Sequence, residues 1–308
     1  MILSYYKEEP NFGDSVNANI FPYFLPDFFD YDKESVFLGI GSVLGLMNGF
    51  NTTQKIIVFS SGFAYGKIPL VDEKYDIRCV RGPLTAKALK INPKLAITDG
   101  AVLLPLLPEL KKTPSKRHKF SIIPHHQSQV MLGEKQEIFQ ELGINHINPK
   151  TDALEVIHQI RESEVVLTEA MHGAIIADCF RIPWIPIKMF GHINSFKWKD
   201  WSMSMGIRYQ PERISSLLSK DWIYRILKQK FKGNKNKILA KSLAPAYKYY
   251  QAGFKEKKMI RELKSVMEKE PFLTKKATLE SKTDQLLTAL NNLRNDYSNK
   301  VYQKSGLR

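Results

Sequence analysis

The stretch from residue 163 to residue 183, SEVVLTEAMHGAIIADCFRIP, constrains the possible fold more than any other part of the chain. Residues 165–167 are a short apolar run typical of a strand buried on both faces, and residues 170–180 predict a helix that stops before Pro183. His172 and Gly173 would then lie in the first turn of a helix at the carboxyl end of a strand. Such a position favours an anion, with a histidine available for proton transfer. A histidine that merely caps or packs the helix fits the same pattern equally well.

Strand-like and helical runs alternate along the chain, which predicts an α/β protein with parallel, Rossmann-like sheets in two halves. A polar, basic segment interrupted by proline, LKKTPSKRHK at residues 110–119, is the best candidate for a linker. We therefore expect an N-terminal domain over residues 1–112, a second domain over 113–210 that contains the His-Gly helix, and a basic helical region over 211–308.

Small and polar residues follow the predicted strands of the first half, where ligands bind in open α/β sheets. The turns are NFGD, GIGS and SSG, and neither a GxGxxG motif nor a P-loop is present. A turn glycine and a helix cap would explain NFGD equally well. Arg81 stands at a strand-to-helix junction, where its guanidinium could bind a carboxylate or phosphate. The candidate ligand-binding residues of this half are Asn11, Gly13, Asp14, Ser42, Ser61, Gly62 and Arg81.

In the second half, a helix is predicted over residues 133–142, and a strand at residues 184–187 is expected to close the sheet. Another predicted strand of this half ends in Pro124, His125 and His126. No third ligand at a zinc-like spacing accompanies the histidines, so we expect hydrogen bonding to an anion or sugar rather than a metal. The segment 189–207 suits a loop that contacts sugars or anions, although a helix that packs its tryptophans into the core would look the same. The candidates of this half are His125, His126, Thr168, Glu169, His172, Gly173, His192, Lys197 and Trp198.

Charge is concentrated at the C-terminal end of the chain. Residues 221–308 hold 21 lysine and arginine residues against 8 aspartate and glutamate residues, a local charge of +13 out of a total of +15. Basic amphipathic runs of this kind suit an anionic membrane surface, and a solvated helical face is the plainer alternative. The regular leucines from Leu279 to Leu293 predict a final helix that packs back on the core. No module for nucleic-acid binding is evident.

The pattern favours a cytoplasmic protein, peripheral at the inner face of the cell membrane if the basic region binds lipid. Neither a signal peptide nor an apolar run of bilayer-spanning length is visible. The two cysteines, Cys79 and Cys179, lie in apolar runs and are expected to be reduced core residues.

Several motifs taken together resemble the polysaccharide pyruvyl transferases, in the branch that acts on exopolysaccharide and capsule repeat units. They are NFGD, GIGS, SSG, VRGPLT, TDGAVLL, PHH and EAMHGAIIAD, in that order. The resemblance implies two domains facing across a cleft, as in GT-B glycosyltransferases, with the N-terminal domain on the acceptor side. It also implies transfer of pyruvyl from phosphoenolpyruvate, a co-substrate rather than a cofactor, to a sugar as a ketal. The acceptor would be a lipid-diphosphate-linked oligosaccharide, and phosphate would be released.

By the same resemblance, Arg81 would hold the donor and His172 would be the general acid. Asp14, Glu169 and His126 are the candidate bases, in that order. Ala170 stands where related sequences with a basic residue have arginine, so Lys188, Lys197 or His125 would have to supply a charge. A second departure is Gly100, where proline is usual. The rival hypothesis is a GT-B glycosyltransferase that uses a nucleotide sugar.

Overall fold

The computed structural model describes residues 1–30, 34–46, 55–219, 222, 225 and 251–305. Two parallel sheets organise this part of the chain. The first has its strands in the order β1-β2-β3-β4, all parallel, and buried apolar residues on β2 and β3 show that helices and loops cover both faces. These strands are β1 (Ile2–Ser4), β2 (Ser35–Leu38), β3 (Lys55–Ser61) and β4 (Tyr75–Val80).

The second sheet is also parallel and has the order β6-β5-β7-β8-β9. We predicted that the strand at residues 184–187 closes this sheet, and this was wrong. A further short strand pairs with its outer edge, directly after Pro211. The strands are β5 (His118–Ile123), β6 (Asn145–His146), β7 (Ser163–Thr168), β8 (Trp184–Lys188) and β9 (Glu212–Arg213).

Helices connect the strands and cover the sheets. Those of the first half are α1 (Phe12–Ser15), α2 (Asn17–Phe24) and α3 (Pro83–Leu89), followed by 3₁₀ segments at Pro93–Leu95, Gly100–Leu106 and Pro108–Leu110. Those of the second half are α4 (His126–Leu132), a 3₁₀ turn (Gly133–Gln136), α5 (Glu137–Glu141), α6 (Ala153–Arg161), α7 (Met171–Cys179) and α8 (Ser195–Ser204).

The strand, His-Gly and helix predicted at residues 163–183 are confirmed as β7 and α7. All nine residues of α7 are buried, which explains why its sequence is apolar on every side rather than amphipathic. The helix predicted over residues 133–142 is instead a 3₁₀ turn followed by a short α-helix. The segment after Pro124 forms α4, which the sequence analysis did not predict.

The described C-terminal residues form a π-helical turn (Gln251–Lys255) and two helices, α9 (Glu256–Met267) and α10 (Lys276–Ser305). Helix α9 buries apolar residues against the second sheet, whereas α10 buries Leu286, Leu290 and Leu293 in the core cluster that includes the first sheet. Asp296 on α10 also pairs with Arg78 of β4 at 2.5 Å. The prediction that the final helix packs back on the core is thus confirmed. Most of the basic stretch 220–250 lies outside the described residues.

Among the described residues, no helix combines the length and apolar character needed to cross a bilayer.

Candidate active site

Loops that follow strands of both sheets line one cavity of about 260 Å³. The first sheet contributes the loops after β1, β2 and β3, and the second contributes the loops after β5, β7 and β8. Ligand sites in parallel sheets lie at the carboxyl ends of the strands, and the cavity occupies that position for both sheets. Its walls are Tyr6, Asn11, Asp14, Ser42, Val43, Leu46, Tyr65, His125, His126, Gln127, Met171, His172, His192 and Lys197.

His172 lies in the first turn of α7, directly after Met171, and is held against a buried carboxylate. Its Nε2 lies 3.6 Å from Oδ2 of Asp99, and neither atom has a hydrogen-bond partner among the described residues. The other oxygen of Asp99 accepts a hydrogen bond from the Ala101 amide, which fixes the carboxylate at the start of a 3₁₀ segment. An orienting carboxylate behind a histidine is the arrangement that positions an imidazole for proton transfer.

The NFGD turn approaches His172 from the first sheet. A Cβ atom on Gly13 would lie 2.0 Å from the imidazole Nδ1, so only glycine allows the turn to pass this close to the ring. The Phe12 amide donates to the carbonyl of Pro149, which joins the turn to the second half of the chain. Residues from both halves therefore fix the position of the imidazole.

Asp14 lies in the cavity wall beside this histidine. Burial raises the pKa of its carboxyl group, an effect that the positive charges of His172 and Lys197 oppose. The Asn11 side chain donates to Asp14 Oδ2 at 2.5 Å and also caps α1. A carboxylate with a raised pKa is a stronger base than an exposed one, so Asp14 is suited to accept a proton.

Lys197 places an ammonium group at the wall of the cavity. Its pKa is lowered to about 8, chiefly by burial; the nearby Asp14 carboxylate opposes this shift and Arg81 adds to it. The group lies 5.8 Å from the ring centroid of Tyr65. No ion pair or hydrogen bond holds it among the residues that the structure describes, so it is available to an anionic ligand.

Three imidazole rings lie together on the second-sheet side of the cavity. His125 and His126 have centroids 4.1 Å apart, and His192 is 5.2 Å from His125. Burial and the nearby Lys197 lower the pKa of His125 strongly and that of His126 to about 4. Both rings are therefore neutral at pH 7 and act as hydrogen-bonding groups rather than as cations.

Arg81 lies at the junction between β4 and α3, as predicted, but its guanidinium is fully buried behind the cavity wall. Its Nε donates to Oδ2 of Asp200 at 3.1 Å, and its other nitrogens donate to the Ser42 hydroxyl at 2.6 Å and to the Phe63 carbonyl. It therefore reaches the cavity only through Ser42. Because Ser42 Oγ accepts from Arg81, its own hydroxyl hydrogen is free to donate to a ligand.

Asp200 joins the VRGPLT motif to helix α8 of the second half. Besides Arg81 it accepts hydrogen bonds from the amide and the hydroxyl of Thr85, at 2.9 and 2.6 Å. A Cβ atom on Gly82 would lie 2.0 Å from the Asp200 carbonyl oxygen, so glycine is required for this close approach. The motif thus fastens α8 to the first half through a buried ion pair.

Two other predicted residues support the wall without forming part of it. Glu169 is fully buried, and its carboxylate accepts from the amides of Met189, Phe190 and His125. It is already occupied by these bonds, which makes it a poor candidate for the general base. Trp198 is also fully buried and stacks on Tyr209, so the alternative of a helix packing its tryptophans into the core is correct for this segment.

The remaining predicted residues also lie behind the cavity. The Ser61 hydroxyl donates to the Gly41 carbonyl, and the Thr168 hydroxyl donates to the Ala170 carbonyl. Gly62 lies against the Arg81 guanidinium and Gly173 against the Thr168 side chain, and neither glycine lines the cavity.

Comparison with known proteins identifies the family. A family model described as polysaccharide pyruvyl transferase matches residues 51–188. The succinoglycan biosynthesis protein ExoV of Rhizobium meliloti (strain 1021) is 40% identical over 214 residues, which span 68% of this chain and 67% of that protein. The chain belongs to the polysaccharide pyruvyl transferase family. It is therefore a transferase that acts in polysaccharide pyruvylation. No solved structure matches it significantly.

Membership of this family gives weight to two residues at the cavity. The family resemblance left a donor-binding charge to be supplied near Ala170. Of the three candidates only Lys197 combines a position in the wall with a cationic group, since His125 is neutral and Lys188 donates to the Ile193 carbonyl. Asp99 was not among the residues that the sequence analysis assigned to the site. The TDGAVLL motif, which contains Asp99, is the sequence signal that could have identified this residue.

Metal ligation has no support within the described residues, where no group of three or more His, Cys, Asp and Glu side chains is arranged around a common point.

Proposed function

We propose that this transferase moves the pyruvyl group of phosphoenolpyruvate to a sugar of an exopolysaccharide repeat unit, forming a pyruvate ketal and releasing phosphate. The observation that supports this most directly is a histidine, backed by a buried carboxylate, in one small cavity with a lysine that forms no ion pair within the described part of the chain. The donor has a carboxylate, a phosphate and an enol carbon that must be protonated. Lys197 can bind its anionic groups, and His172 can supply the proton. The similar protein named for succinoglycan biosynthesis supports an exopolysaccharide acceptor.

The donor would bind through charge and hydrogen bonds. Lys197 provides the positive charge, and the Ser42 hydroxyl provides a donor held in place by Arg81. Helix α7 begins without a side-chain cap at Ala170, so its first amides can bind an anion with the help of the helix dipole. Neutral His125 and His126 would add hydrogen bonds without adding charge.

His172 would act as the general acid. Protonation of the methylene carbon of phosphoenolpyruvate turns it into a methyl group and makes C2 electrophilic. A hydroxyl of the acceptor sugar then adds to C2 and loses its proton. A second hydroxyl of the same sugar displaces phosphate from C2, which closes the ketal. A positioned acid typically contributes 10²- to 10⁴-fold to a rate of this kind.

Asp14 is the best candidate for the base that takes the hydroxyl proton. It lies in the cavity wall and has a raised pKa, whereas Glu169 is occupied by three amides. His126 is a weaker base because its pKa is lowered to about 4.

The test is phosphate release from phosphoenolpyruvate with oligosaccharides prepared from the polysaccharide of a strain lacking this protein. Wild type should release phosphate and add the mass of a pyruvate ketal. His172→Ala should reduce turnover by at least 10²-fold while circular dichroism shows an unchanged fold. Near-normal turnover would remove the assignment of His172, and binding of UDP instead of phosphoenolpyruvate would favour the nucleotide-sugar alternative.

The arrangement proposed for the chain is two Rossmann-like domains, residues 1–112 and 113–210, facing each other as in GT-B glycosyltransferases. Residues 211–308 would form a basic helical extension. The lining of one cavity by both sheets supports this arrangement. Trypsin should cut the native protein first in residues 110–119, which are mostly exposed and contain four lysines and arginines before His118. A first cut inside either sheet would contradict these boundaries.

We also propose that the acceptor is linked to a lipid diphosphate and that the basic region holds the enzyme at the inner face of the cell membrane. The exposed side of α9 supports this, because Lys257, Lys258, Arg261 and Lys264 all point to solvent there. Each basic residue near an anionic surface contributes about 1 kcal/mol. Wild type should float with phosphatidylglycerol vesicles and not with phosphatidylcholine vesicles. Equal flotation after all four residues are changed to glutamate would contradict the role of α9.

A further inference from the structure

A groove opens beside the cavity and shares two wall residues with it. The groove has a volume of about 580 Å³, and Gln127 and His192 line both spaces. Cavities that hold drug-sized ligands measure roughly 300–1,000 Å³, so the cavity of about 260 Å³ has room for a small donor and the reacting sugar but not for an oligosaccharide. A longer acceptor must extend beyond it, and the groove adjoins it at Gln127 and His192.

The chemistry of the groove walls suits a carbohydrate. Val130 and Met131 of α4 form an apolar patch, and Val130 is 42% exposed although it is hydrophobic. Trp222 adds a flat indole, whose ring face can pack against the C–H face of a pyranose. Gln127 adds amide hydrogen-bonding groups for hydroxyls. An apolar surface with a few polar groups at its edges is typical of ligand sites.

Three charged residues complete the groove: Glu9, whose Oε2 lies 3.7 Å from His126 Nε2, and the cations Lys150 and Arg225. Lys150 and Arg225 line it, and neither forms an ion pair among the described residues, although the guanidinium of Arg225 lies 5.9 Å from the Trp222 ring centroid. The Trp222 backbone is tied to α4, since its amide donates to the Ser219 hydroxyl and the Ser219 amide donates to the Met131 carbonyl. These bonds hold the Trp222 backbone beside α4, and its side chain lines the groove next to the apolar patch.

We infer that this groove is the acceptor subsite for the sugar units next to the one that receives the pyruvyl group, with Trp222 as the stacking platform. The inference rests on the proposed function, because it states where that function's acceptor binds. Lys150 and Arg225 suit hydroxyl groups or acidic substituents of those neighbouring units.

Tryptophan fluorescence can test the groove without any turnover. The chain has four tryptophans, and Trp184, Trp198 and Trp201 are at most 1% exposed. Trp222 is the partly exposed one, so a change in emission on ligand binding reports on the groove. The probes are the non-pyruvylated oligosaccharides of the proposed assay, separated by length, and the monosaccharides obtained from them.

Oligosaccharides should change the emission of wild type, and monosaccharides should not. By calorimetry, Trp222→Ala should weaken oligosaccharide binding roughly 2- to 10-fold. Trp222→Phe should keep most of the affinity but lose the emission change. Tyr23→Ala, which removes an aromatic residue that is 48% exposed outside the groove, should bind as wild type does.

Equal affinity of wild type and Trp222→Ala for the oligosaccharides would overturn the subsite, as would the absence of oligosaccharide binding to wild type. If Trp222→Ala does not fold, the emission change of wild type and its loss in Trp222→Phe decide the question. Phosphate release measured with the same oligosaccharides separates the two proposals. Binding with the expected Trp222 dependence but without phosphate release would support the groove and contradict pyruvyl transfer from phosphoenolpyruvate.

Discussion

The buried ion pair between Arg81 and Asp200 gives the sharpest prediction about stability. Both side chains are fully buried, so Asp200→Asn would leave a guanidinium without its counter-charge and without access to water. Breaking a buried pair by removing one partner costs about 3–5 kcal/mol. In a chain of 308 residues this corresponds to a fall in Tm of about 2 °C per kcal/mol, or about 6–10 °C in all.

The assay is thermal and urea unfolding followed by near-UV circular dichroism, which reports on the buried tryptophans around α8. Asp296→Asn is a matched control, since Asp296 pairs with Arg78 at 2.5 Å but is 54% exposed. Its loss should cost no more than about 1 kcal/mol. The double change Arg81→Met with Asp200→Leu should recover much of the stability lost by Asp200→Asn, because no unpaired charge remains buried.

A loss below about 1 kcal/mol in Asp200→Asn would refute this explanation of the VRGPLT motif. It would mean that the guanidinium has another anionic partner or reaches water. A direct role of Arg81 in binding the donor would then become the better hypothesis.

Three further predictions concern the cavity and the C-terminal helix. Gly13→Ala should lower kcat about 10²-fold, because the new Cβ atom must displace the His172 ring. The control Gly253→Ala, whose new Cβ atom meets nothing within 4 Å, should leave kcat unchanged, and equal kcat values in the two variants would contradict the close approach of Gly13 to the ring. The kcat/KM for the donor should fall as the pH rises through about 8, where Lys197 loses its charge, and Lys197→Arg should keep kcat/KM high above that pH. The same pH profile in both enzymes would argue against Lys197 as the cation that binds the donor. Leu290→Ala on α10 should lower the free energy of unfolding by about 2–5 kcal/mol, because Leu290 is buried. Asn291→Ala at the exposed neighbouring position is the control, and an equal loss of stability in the two variants would show that α10 does not support the core.

Much of the architecture could be predicted from the sequence, because local patterns report burial and element type. The run at residues 165–167 and the helix after it predicted β7 and α7, and the position of His172 follows from that junction alone. Parallel sheets place the carboxyl ends of their strands along one edge, so Asn11, Asp14, Ser42, His125 and His172 could be selected as residues for one site. All of these line the cavity.

Only the tertiary structure shows which residues that are distant in sequence form ion pairs or pack against each other. Arg81 was predicted to bind the donor because a guanidinium at a strand end can bind an anion, but its counter-charge is supplied by Asp200, 119 positions later. Asp99 was missed because a capping aspartate and a carboxylate that orients a histidine look the same in sequence. Trp198 fits a sugar-binding loop and a buried helix equally well. Periodicity and motif spacing show which residues are buried or lie near strand ends, but which side chains meet depends on how the two sheets pack, and many distant interactions together determine that packing.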